Sequence, residues 1–283
     1  MIVIARLMVR ELVRRRVVWV LAILTLVSVA LVGLGVSRLV ELARERGTLE
    51  LEIRIGVSQV LILIAFMFSF VLAMTAAFIG APAIGGDLES GVASAILARP
   101  LRRAEILLGR WLGCAVVVAL YAIASGLLAI AATALVSGYG PPDPVLAVSF
   151  LAGQALVLLT LTLALGSVLP SIAAGAIAVV GFGLGWMAGV MAGVATALGV
   201  TALTQVAEIS RWLLPSDGLW RGVIYGLEPP LVVLIAAGRA PDLVNANPFY
   251  AAMPPPLAFV LWSIAWMALV LGAATWWFER RDL

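Results

Sequence analysis

Long stretches without a charged residue constrain this chain more than any other feature. Charge-free runs cover residues 17–37, 55–86, 111–142, 144–207 and 243–278. Each is at least as long as the roughly 20 residues that an α-helix needs to cross the hydrocarbon core of a bilayer. Only 12% of the 283 residues are charged, about half the fraction in soluble domains, so the chain cannot cover a soluble surface. The sequence therefore predicts an all-α polytopic membrane protein with a single transmembrane domain.

The charge-free runs divide into six predicted transmembrane helices. Pro170 separates the longest run into two spans, because proline ends or kinks a helix. The last run begins with a proline-rich stretch, so its span starts near Leu257. The predicted spans are residues 17–37, 57–84, 108–136, 145–169, 171–199 and 257–278.

Arginine placement predicts how these six spans are oriented. Every basic residue is an arginine, and the side that carries both termini holds eleven arginines and six acids. The opposite side holds seven arginines and nine acids. The positive-inside rule therefore places the termini in the cytoplasm, with the spans in a plasma or inner cell membrane. A third span inside residues 144–207 would move Arg280 and Arg281 to the outer side and weaken this assignment.

Residues 1–16 have the pattern of an amphipathic helix lying at the membrane surface. Apolar side chains and arginines each recur every four residues, on opposite faces of the helix. The two sets are Ile4, Met8 and Leu12, and Arg6, Arg10 and Arg14. We predict an interfacial helix; the alternative is a solvated basic tail that only sets the topology.

The absent residue types exclude several classes of function. The chain has no lysine and no histidine, which excludes a P-loop and histidine metal or proton-relay sites. The single Cys114 lies in an apolar run and is predicted to serve packing. No predicted span requires a buried ionisable residue, and Gln154 is the most polar residue deep in one. A proton- or ion-driven carrier is therefore disfavoured, and energy for any transport must come from a partner.

Residues 85–105 interrupt the apolar sequence with six charged side chains between spans 2 and 3. The Gly85–Gly86 pair is expected to end span 2. Asp87 and Glu89 then lie in the first turn of a short helix, where the helix dipole favours acids. That helix is predicted to end at a basic residue and a proline, Arg99 and Pro100. On the cytoplasmic face it is suited to dock in a groove of a soluble protein; the alternative is an ordinary connector.

Residues 87–110 resemble the signature of the ABC transporter type-2 permease family. That signature has two acids and a glycine, then a leucine, a proline, an arginine, and finally a glycine followed by a lysine. Val92 stands where threonine is usual and Arg110 where lysine is usual, so only the second replacement keeps the chemical character. The basic N-terminal helix and the tail at residues 278–283 are also similar to the family. The matching residues are Asp87, Glu89, Gly91, Leu97, Pro100, Arg103 and Gly109.

The resemblance implies the membrane subunit of an ATP-driven exporter or floppase, which is not itself a catalyst. Two permease subunits, identical or different, would bind two ATP-binding subunits that hold ATP and magnesium. The chain itself is expected to bind no cofactor, metal or nucleic acid. The helix between spans 2 and 3 would transmit ATP-driven closure. The residues expected to contact the ATPase, or to shape that helix, are Asp87, Glu89, Gly91, Arg99, Pro100 and Arg103.

The competing hypothesis is a membrane scaffold or assembly factor that transports nothing. It would anchor a cytoplasmic partner through the same charged segment. An intramembrane enzyme fits less well, because it would need a buried nucleophile or paired acids in the spans. No catalytic residue is therefore predicted.

Four glycines at a spacing of four line one face of span 5, where they allow another backbone to approach closely. Their partner is either the second permease subunit or another span of the same chain, and a glycine hinge is the third interpretation. These residues are Gly181, Gly185, Gly189 and Gly193.

Residues 200–256 join spans 5 and 6 on the predicted outer side. Aromatic residues, among them Trp212, Trp220 and Tyr225, alternate with charged residues around Pro215. Aromatic side chains of this kind anchor at the membrane interface. We expect a re-entrant or interface-lying helical pair that caps the outer end of the pathway; the alternative is a plain amphipathic loop.

Overall fold

The computed structural model describes residues 1–14, 17–89, 102–230, 232 and 247–280. Within these ranges the regular structure is entirely α-helical. The helices are α1 (Ile2–Arg14), α2 (Val17–Glu45), α3 (Glu50–Glu89), α4 (Arg103–Ser137), α5 (Pro144–Gly166), α6 (Ser171–Leu198), α7 (Thr201–Leu213), α8 (Ser216–Leu227) and α9 (Leu257–Arg280).

Six of these helices, α2 to α6 and α9, are long and apolar enough to cross a membrane. The prediction of an all-α protein with six spans is therefore confirmed. The first two spans are longer than their charge-free runs. α2 ends at Glu45 and α3 begins at Glu50, so the charged residues between the two runs extend both helices beyond the apolar sequence.

Contacts between helix ends define the two ends of the bundle. The start of α4 meets the last turn of α9, where the Arg103 guanidinium donates to the carbonyl oxygens of Phe278 and Glu279. α1 packs on the same part of α4, because a Cβ on Gly113 would lie 2.7 Å from the Ala5 carbonyl oxygen. We call this the terminal end, since both described chain ends lie there. The opposite end, where α4 leads into α5, is the distal end.

α1 turns one apolar face to the bundle and leaves a second set of apolar side chains uncovered. Ala5, Met8 and Leu12 are buried. Ile2 and Val3 are more than 70% exposed, and the arginines of the helix are exposed as well. Uncovered apolar side chains beside arginines suit a membrane surface, and the interfacial position stays a prediction.

The core is built around α3 and α5, which are the most buried of the six spans. Leu61 and Ile62 on α3, and Leu159 and Leu163 on α5, are completely buried. Buried hydroxyl groups on these helices donate to carbonyl oxygens of their own helix, as Thr162 does to Leu158 at 2.7 Å. Such bonds let polar side chains lie inside an apolar bundle without an unsatisfied donor.

Local sequence explains the sharp turn between α4 and α5 at the distal end. Gly138 ends α4 with φ at 71°, a left-handed conformation that favours glycine. Asp143 begins α5 by accepting a hydrogen bond from the Leu146 backbone at 2.9 Å, and Pro144 follows in the first helical position. The turn therefore has a C-terminal glycine and an N-terminal cap at the expected places.

α3 continues through Gly85 and Gly86 and ends at Glu89, so the predicted break at the glycine pair is wrong. Each glycine lowers helix stability by only about 1 kcal/mol relative to alanine. Close packing offsets this cost, because a Cβ on Gly85 would lie 2.7 Å from the Ser171 hydroxyl. The tertiary contact with α6 therefore overrides the local propensity of the pair.

Candidate functional site

The beginning of the predicted coupling segment is attached to the start of α6. The Glu89 carboxylate accepts a hydrogen bond from the Ser171 backbone N–H at 2.6 Å. Ser171 is the first residue of α6, and the first N–H groups of a helix have no partner within it. A carboxylate there also interacts favourably with the helix dipole. The contact links the end of span 2 to the beginning of span 5.

Glycine packing brings the same two regions close together. A Cβ on Gly166, at the end of α5, would lie 2.7 Å from the Ala81 carbonyl oxygen of α3. A Cβ on Gly85 would meet the Gly166 carbonyl oxygen at 3.2 Å. The end of α3 therefore lies directly against the turn between α5 and α6, with no room for side chains between the backbones.

Two arginines attach the other side of the coupling segment to the bundle. The Arg103 guanidinium donates to the carbonyl oxygens of Phe278 and Glu279 at 3.3 and 3.4 Å, in the last turn of α9, where carbonyl groups lack helical partners. The Arg110 guanidinium donates to the Ala83 carbonyl oxygen. These contacts connect the beginning of α4 to both α9 and α3.

The other predicted coupling residues lie either in the last turn of α3 or outside the described residues. Asp87 and Glu89 both lie in the last turn of α3, so their predicted place in the first turn of a separate short helix is wrong; α3 continues through the glycine pair and includes them. Gly91, Arg99 and Pro100 lie outside the described residues. Contact of any of the six with an ATPase stays a prediction. Glu89 and Arg103 are placed at the two roots of the segment and are held there by backbone groups of α6 and α9.

At the distal end, α7 and α8 form a helical pair, and α8 inserts between α3, α5 and α6. The Gln154 side chain holds its first turn: its amide Nε2 donates to the Ser216 carbonyl oxygen at 3.1 Å. The Gln154 carbonyl oxygen accepts from the Ser69 hydroxyl of α3 at 2.6 Å. Gln154 is near the midpoint of the 23-residue α5. α8 therefore starts at half the depth of the bundle.

α8 then runs back to the distal end. Near its last turn, the Gly226 carbonyl oxygen accepts from the Asp143 backbone N–H at 3.1 Å. The Leu227 carbonyl oxygen accepts from the Tyr139 hydroxyl at 2.7 Å. Asp143 and Tyr139 both belong to the distal turn between α4 and α5. A helix that starts at mid-depth and returns to the same end has the geometry of a re-entrant helix.

The glycine stripe of α6 faces this re-entrant helix. A Cβ on Gly185 would lie 3.3 Å from the Ser216 hydroxyl, and one on Gly189 would overlap the Asp217 carboxylate. A Cβ on Gly181 would contact Leu214 at 3.8 Å, and Gly193 is buried. These contacts lie within one chain. A role of the stripe between two permease subunits stays a prediction.

A buried ion cluster lies where α8 begins. The Arg211 Nε atom is 3.1 Å from an Asp217 carboxylate oxygen, and the Arg221 Nε atom is 3.6 Å from the same oxygen. Asp217 is only 6% exposed. The sequence alone did not predict this cluster, since the 12-residue α8 is too short to be recognised as a transmembrane span. The four-residue spacing of Asp217 and Arg221 was the available signal.

Four aromatic side chains meet between α3, α6, α8 and the segment before α9. Phe66 is central, with ring centroids 5.0 Å from Trp186, 5.6 Å from Trp220 and 5.4 Å from Phe249. The Trp186 Nε1 atom is buried and has no hydrogen-bond partner among the described residues. The cluster therefore combines apolar ring surface with one buried, unused donor.

Glu228 is a second buried acid, at the C-terminal end of α8. It is 2% exposed, and its carboxylate accepts from the Ala251 backbone N–H at 3.3 Å. Burial raises the pKa of the Glu228 carboxyl to about 7, although the bond from Ala251 and the Gln59 side chain oppose the shift. This acid therefore changes charge in the neutral pH range.

The family model described as "ABC-2 family transporter protein" matches residues 2–283. The chain belongs to this family. It is thus an ABC permease, a multi-pass membrane component of a transport system. No curated protein sequence gives a significant match to it.

Two groups of contacts hold the helices of this ABC-2 permease together, one at the terminal end and one at mid-depth. In this ABC-2 permease, the roots of the segment between α3 and α4 are fastened to α6 and α9 at the terminal end. A re-entrant helix is fastened to α3 and α5 by Gln154 at mid-depth. α3 and α6 both take part at the two places, α6 through Ser171 at its start and through Gly185 and Gly189 against α8.

Proposed function

We propose that this ABC-2 permease is the membrane subunit of an ATP-driven exporter or floppase, energised by two separate ATP-binding subunits. Two permease subunits, identical or different, would complete the complex in the cell membrane, with the terminal end in the cytoplasm. The observation that carries the proposal is the hydrogen bond from Ser171 to Glu89. This bond ties the beginning of the segment between spans 2 and 3 to the start of span 5. It therefore supports a role for that segment beyond connecting two neighbouring spans.

The contacts suggest how a push on the segment would spread. Displacing the residues between Glu89 and Arg103 moves the ends of α3 and α4 directly, because both helices are continuous with the segment. Glu89 carries the displacement to α6, and Arg103 carries it to α9. Four of the six spans would therefore respond to one docked partner, which is what coupling to ATP hydrolysis requires.

Apolar surface supports lipid-like or amphiphilic cargo. Large apolar side chains of α6, among them Leu184 and Met187, are more than half exposed. The aromatic cluster around Phe66 lies between α3 and α6 and includes Trp186, whose buried indole N–H has no partner among the described residues. A pathway beside these helices would favour molecules with apolar bodies and few polar groups.

Co-purification tests the partner. An ATP-binding protein should be isolated together with the tagged permease from its native membrane. The permease should change the rate at which that protein hydrolyses ATP. Glu89→Arg and Gly91→Pro should each release that protein or uncouple its hydrolysis. Glu41→Arg, an exposed change on the distal part of α2, is the control and should have no effect. Full coupling in both variants would exclude the docking assignment.

Reconstitution separates transport from the scaffold hypothesis. The complex is placed in vesicles that contain fluorescent lipid analogues, and their leaflet distribution is followed with and without ATP. ATP-dependent movement that Glu89→Arg abolishes supports an exporter or floppase. A stable complex that hydrolyses ATP but moves no amphiphile tested would favour the scaffold.

A further inference from the structure

We propose that the distal half of this permease binds the phosphate group of a phospholipid, in a cavity between α7, α8 and the proline-rich segment that precedes α9. This site is separate from ATP-driven transport and can be measured on the permease alone. Its failure would therefore leave the proposed function untouched, and the reverse also holds.

The cavity is lined by two chemically different kinds of residue. Its volume is about 410 Å³. Arg211 and Arg221 line it together with Trp212, Phe259 and the run Pro254–Pro256. A cavity that combines guanidinium groups with apolar side chains suits a ligand that has an anionic group and a hydrocarbon part.

The charges of the side chains around the cavity indicate that its ligand is an anion. Two guanidinium groups share the single carboxylate of Asp217, at 3.1 and 3.6 Å. The arginine side chains are only 26% and 27% exposed, and that of Asp217 is 6% exposed. The three groups therefore leave one positive charge largely buried, which is costly in an apolar environment. A phosphate in the cavity would compensate it.

Guanidinium groups are well matched to phosphate. Their planar N–H groups can donate two parallel bonds to phosphate oxygens. Glu208 also lines the cavity, but it is exposed at the rim, where water screens its charge. The inner part of the cavity is therefore cationic.

The surroundings indicate a lipid rather than a soluble phosphate. Trp212 packs against Phe259, with ring centroids 5.8 Å apart, and the Trp262 indole N–H donates to the Trp212 carbonyl oxygen at 2.9 Å. Met253, which lines the cavity, and Leu213, which follows the lining residue Trp212, are more than 70% exposed. Exposed apolar side chains beside the cavity give acyl chains a surface to lie against, which a soluble phosphate does not need.

The two arginines lie at a similar depth inside the distal half of the bundle. Gly189, whose carbonyl oxygen accepts from the Arg221 guanidinium at 3.4 Å, lies nine residues before Leu198, the last residue of α6. At 1.5 Å per residue this is about 14 Å below the end of the helix. Arg211 contacts the same Asp217 oxygen as Arg221, so both guanidinium groups are close to this level and can bind one phosphate.

Thermal unfolding of the purified permease in detergent tests the site. Dioctanoyl phosphatidic acid is compared with dioctanoylglycerol, which lacks the phosphate, and with inorganic phosphate, which lacks the chains. We expect a saturable rise in Tm with phosphatidic acid that neither of the other two compounds produces at the same concentration. Arg211→Gln and Arg221→Gln should each weaken binding by at least about tenfold, the loss typical of a charge-assisted hydrogen bond.

Asp217→Asn should have the opposite effect on the affinity for phosphatidic acid. It removes the competing carboxylate, so phosphatidic acid should bind several-fold more tightly and raise Tm further than in the unmodified permease. A purely structural cluster would make all three variants less stable without changing the response to lipid. Arg38→Gln, at an exposed site on the distal part of α2, is the matched control and should bind normally.

A measurement on the unmodified protein keeps the proposal testable if a variant does not fold. Native mass spectrometry can count bound phosphatidic acid in competition with dioctanoylglycerol. One retained phosphatidic acid per chain supports the site. Equal retention of both lipids, or an equal Tm shift with inorganic phosphate alone, overturns it.

Discussion

The carboxylate of Glu89 lies 2.6 Å from the backbone nitrogen of Ser171, and this bond joins the end of α3 to the start of α6. The two residues are 82 positions apart in the sequence, and each lies at a helix end at the terminal end of the bundle. Because the acid occupies a position where α6 has free N–H groups, the contact is favourable for the start of α6. It gives a segment between spans 2 and 3 a mechanical connection to span 5.

Removing this acid should weaken the connection. Glu89→Ala is expected to lower the free energy of unfolding by about 0.3–1 kcal/mol, since an exposed acid at a helix N-terminus contributes this much. Thermal unfolding of the permease in detergent measures the change. Glu41→Ala, at another exposed acid, is the control. An equal loss in both variants would show that Glu89 has no special role at Ser171.

Adding one methyl group to the glycine stripe should have very different effects at two positions of α6. A Cβ on Gly189 would overlap the Asp217 carboxylate, whereas one on Gly183 would meet nothing within 4 Å. Gly189→Ala should therefore destabilise the protein by about 1–3 kcal/mol. Gly183→Ala should be neutral or stabilise it by up to about 1 kcal/mol through helix propensity. Similar Tm values for the two variants would contradict the placement of α8 against α6.

Gln154 should stabilise the start of α8 through its two hydrogen bonds. Gln154→Leu leaves the Ser216 carbonyl oxygen without this donor, and a loss of about 1–3 kcal/mol is expected for a buried group left unpaired. Ser69→Ala should cost less, because it removes the Ser69 donor but leaves the Gln154–Ser216 bond in place. A double-mutant cycle between the two positions measures their coupling. Strictly additive effects would argue against a shared network.

Glu228 should make stability depend on pH. Its pKa is raised from 4.5 to about 7 on folding, so between these values the folded state holds the proton more tightly than the unfolded state. Stability should therefore fall as pH rises from about 4.5 to about 7 and then remain low. The expected change is on the order of 3 kcal/mol.

Glu228→Gln replaces the acid by a neutral side chain of nearly the same shape. The variant should raise Tm at pH 8, have little effect at pH 5, and remove most of the pH dependence between them. Glu52→Gln, at an exposed acid of α3, controls for general charge effects. A pH profile unchanged by Glu228→Gln would mean that other groups cause it.

Much of the architecture could be predicted because it depends on local composition. A bilayer makes charged side chains costly and requires helices of about 20 residues, so uninterrupted apolar runs such as residues 111–142 identify their spans directly. The family resemblance likewise rested on a short contiguous motif. The helix ends at Gly138 and Asp143 follow from conformational and capping preferences of single residues.

The depth of α8 could not be predicted in the same way. The sequence predicts a re-entrant or interface-lying helical pair here, but hydropathy does not give the depth of the twelve residues that include Asp217 and Arg221. They lie inside the bundle because Asp217 pairs with both Arg221 and Arg211, and because Gln154 bonds to the backbone of Ser216. Such compensation exists only once distant segments have come together.

Local sequence was enough to predict a six-span helical membrane protein, since the length of an apolar run and the cost of burying charge are local quantities. Tertiary packing was needed to establish that α3 passes through Gly85 and Gly86, that Gly189 faces Asp217, and that Glu89 contacts Ser171. Each depends on the close approach of helices that are distant in sequence. Apolar helices can pack together in several arrangements, and packing and hydrogen-bond geometry select one of them. No local sequence pattern encodes that geometry.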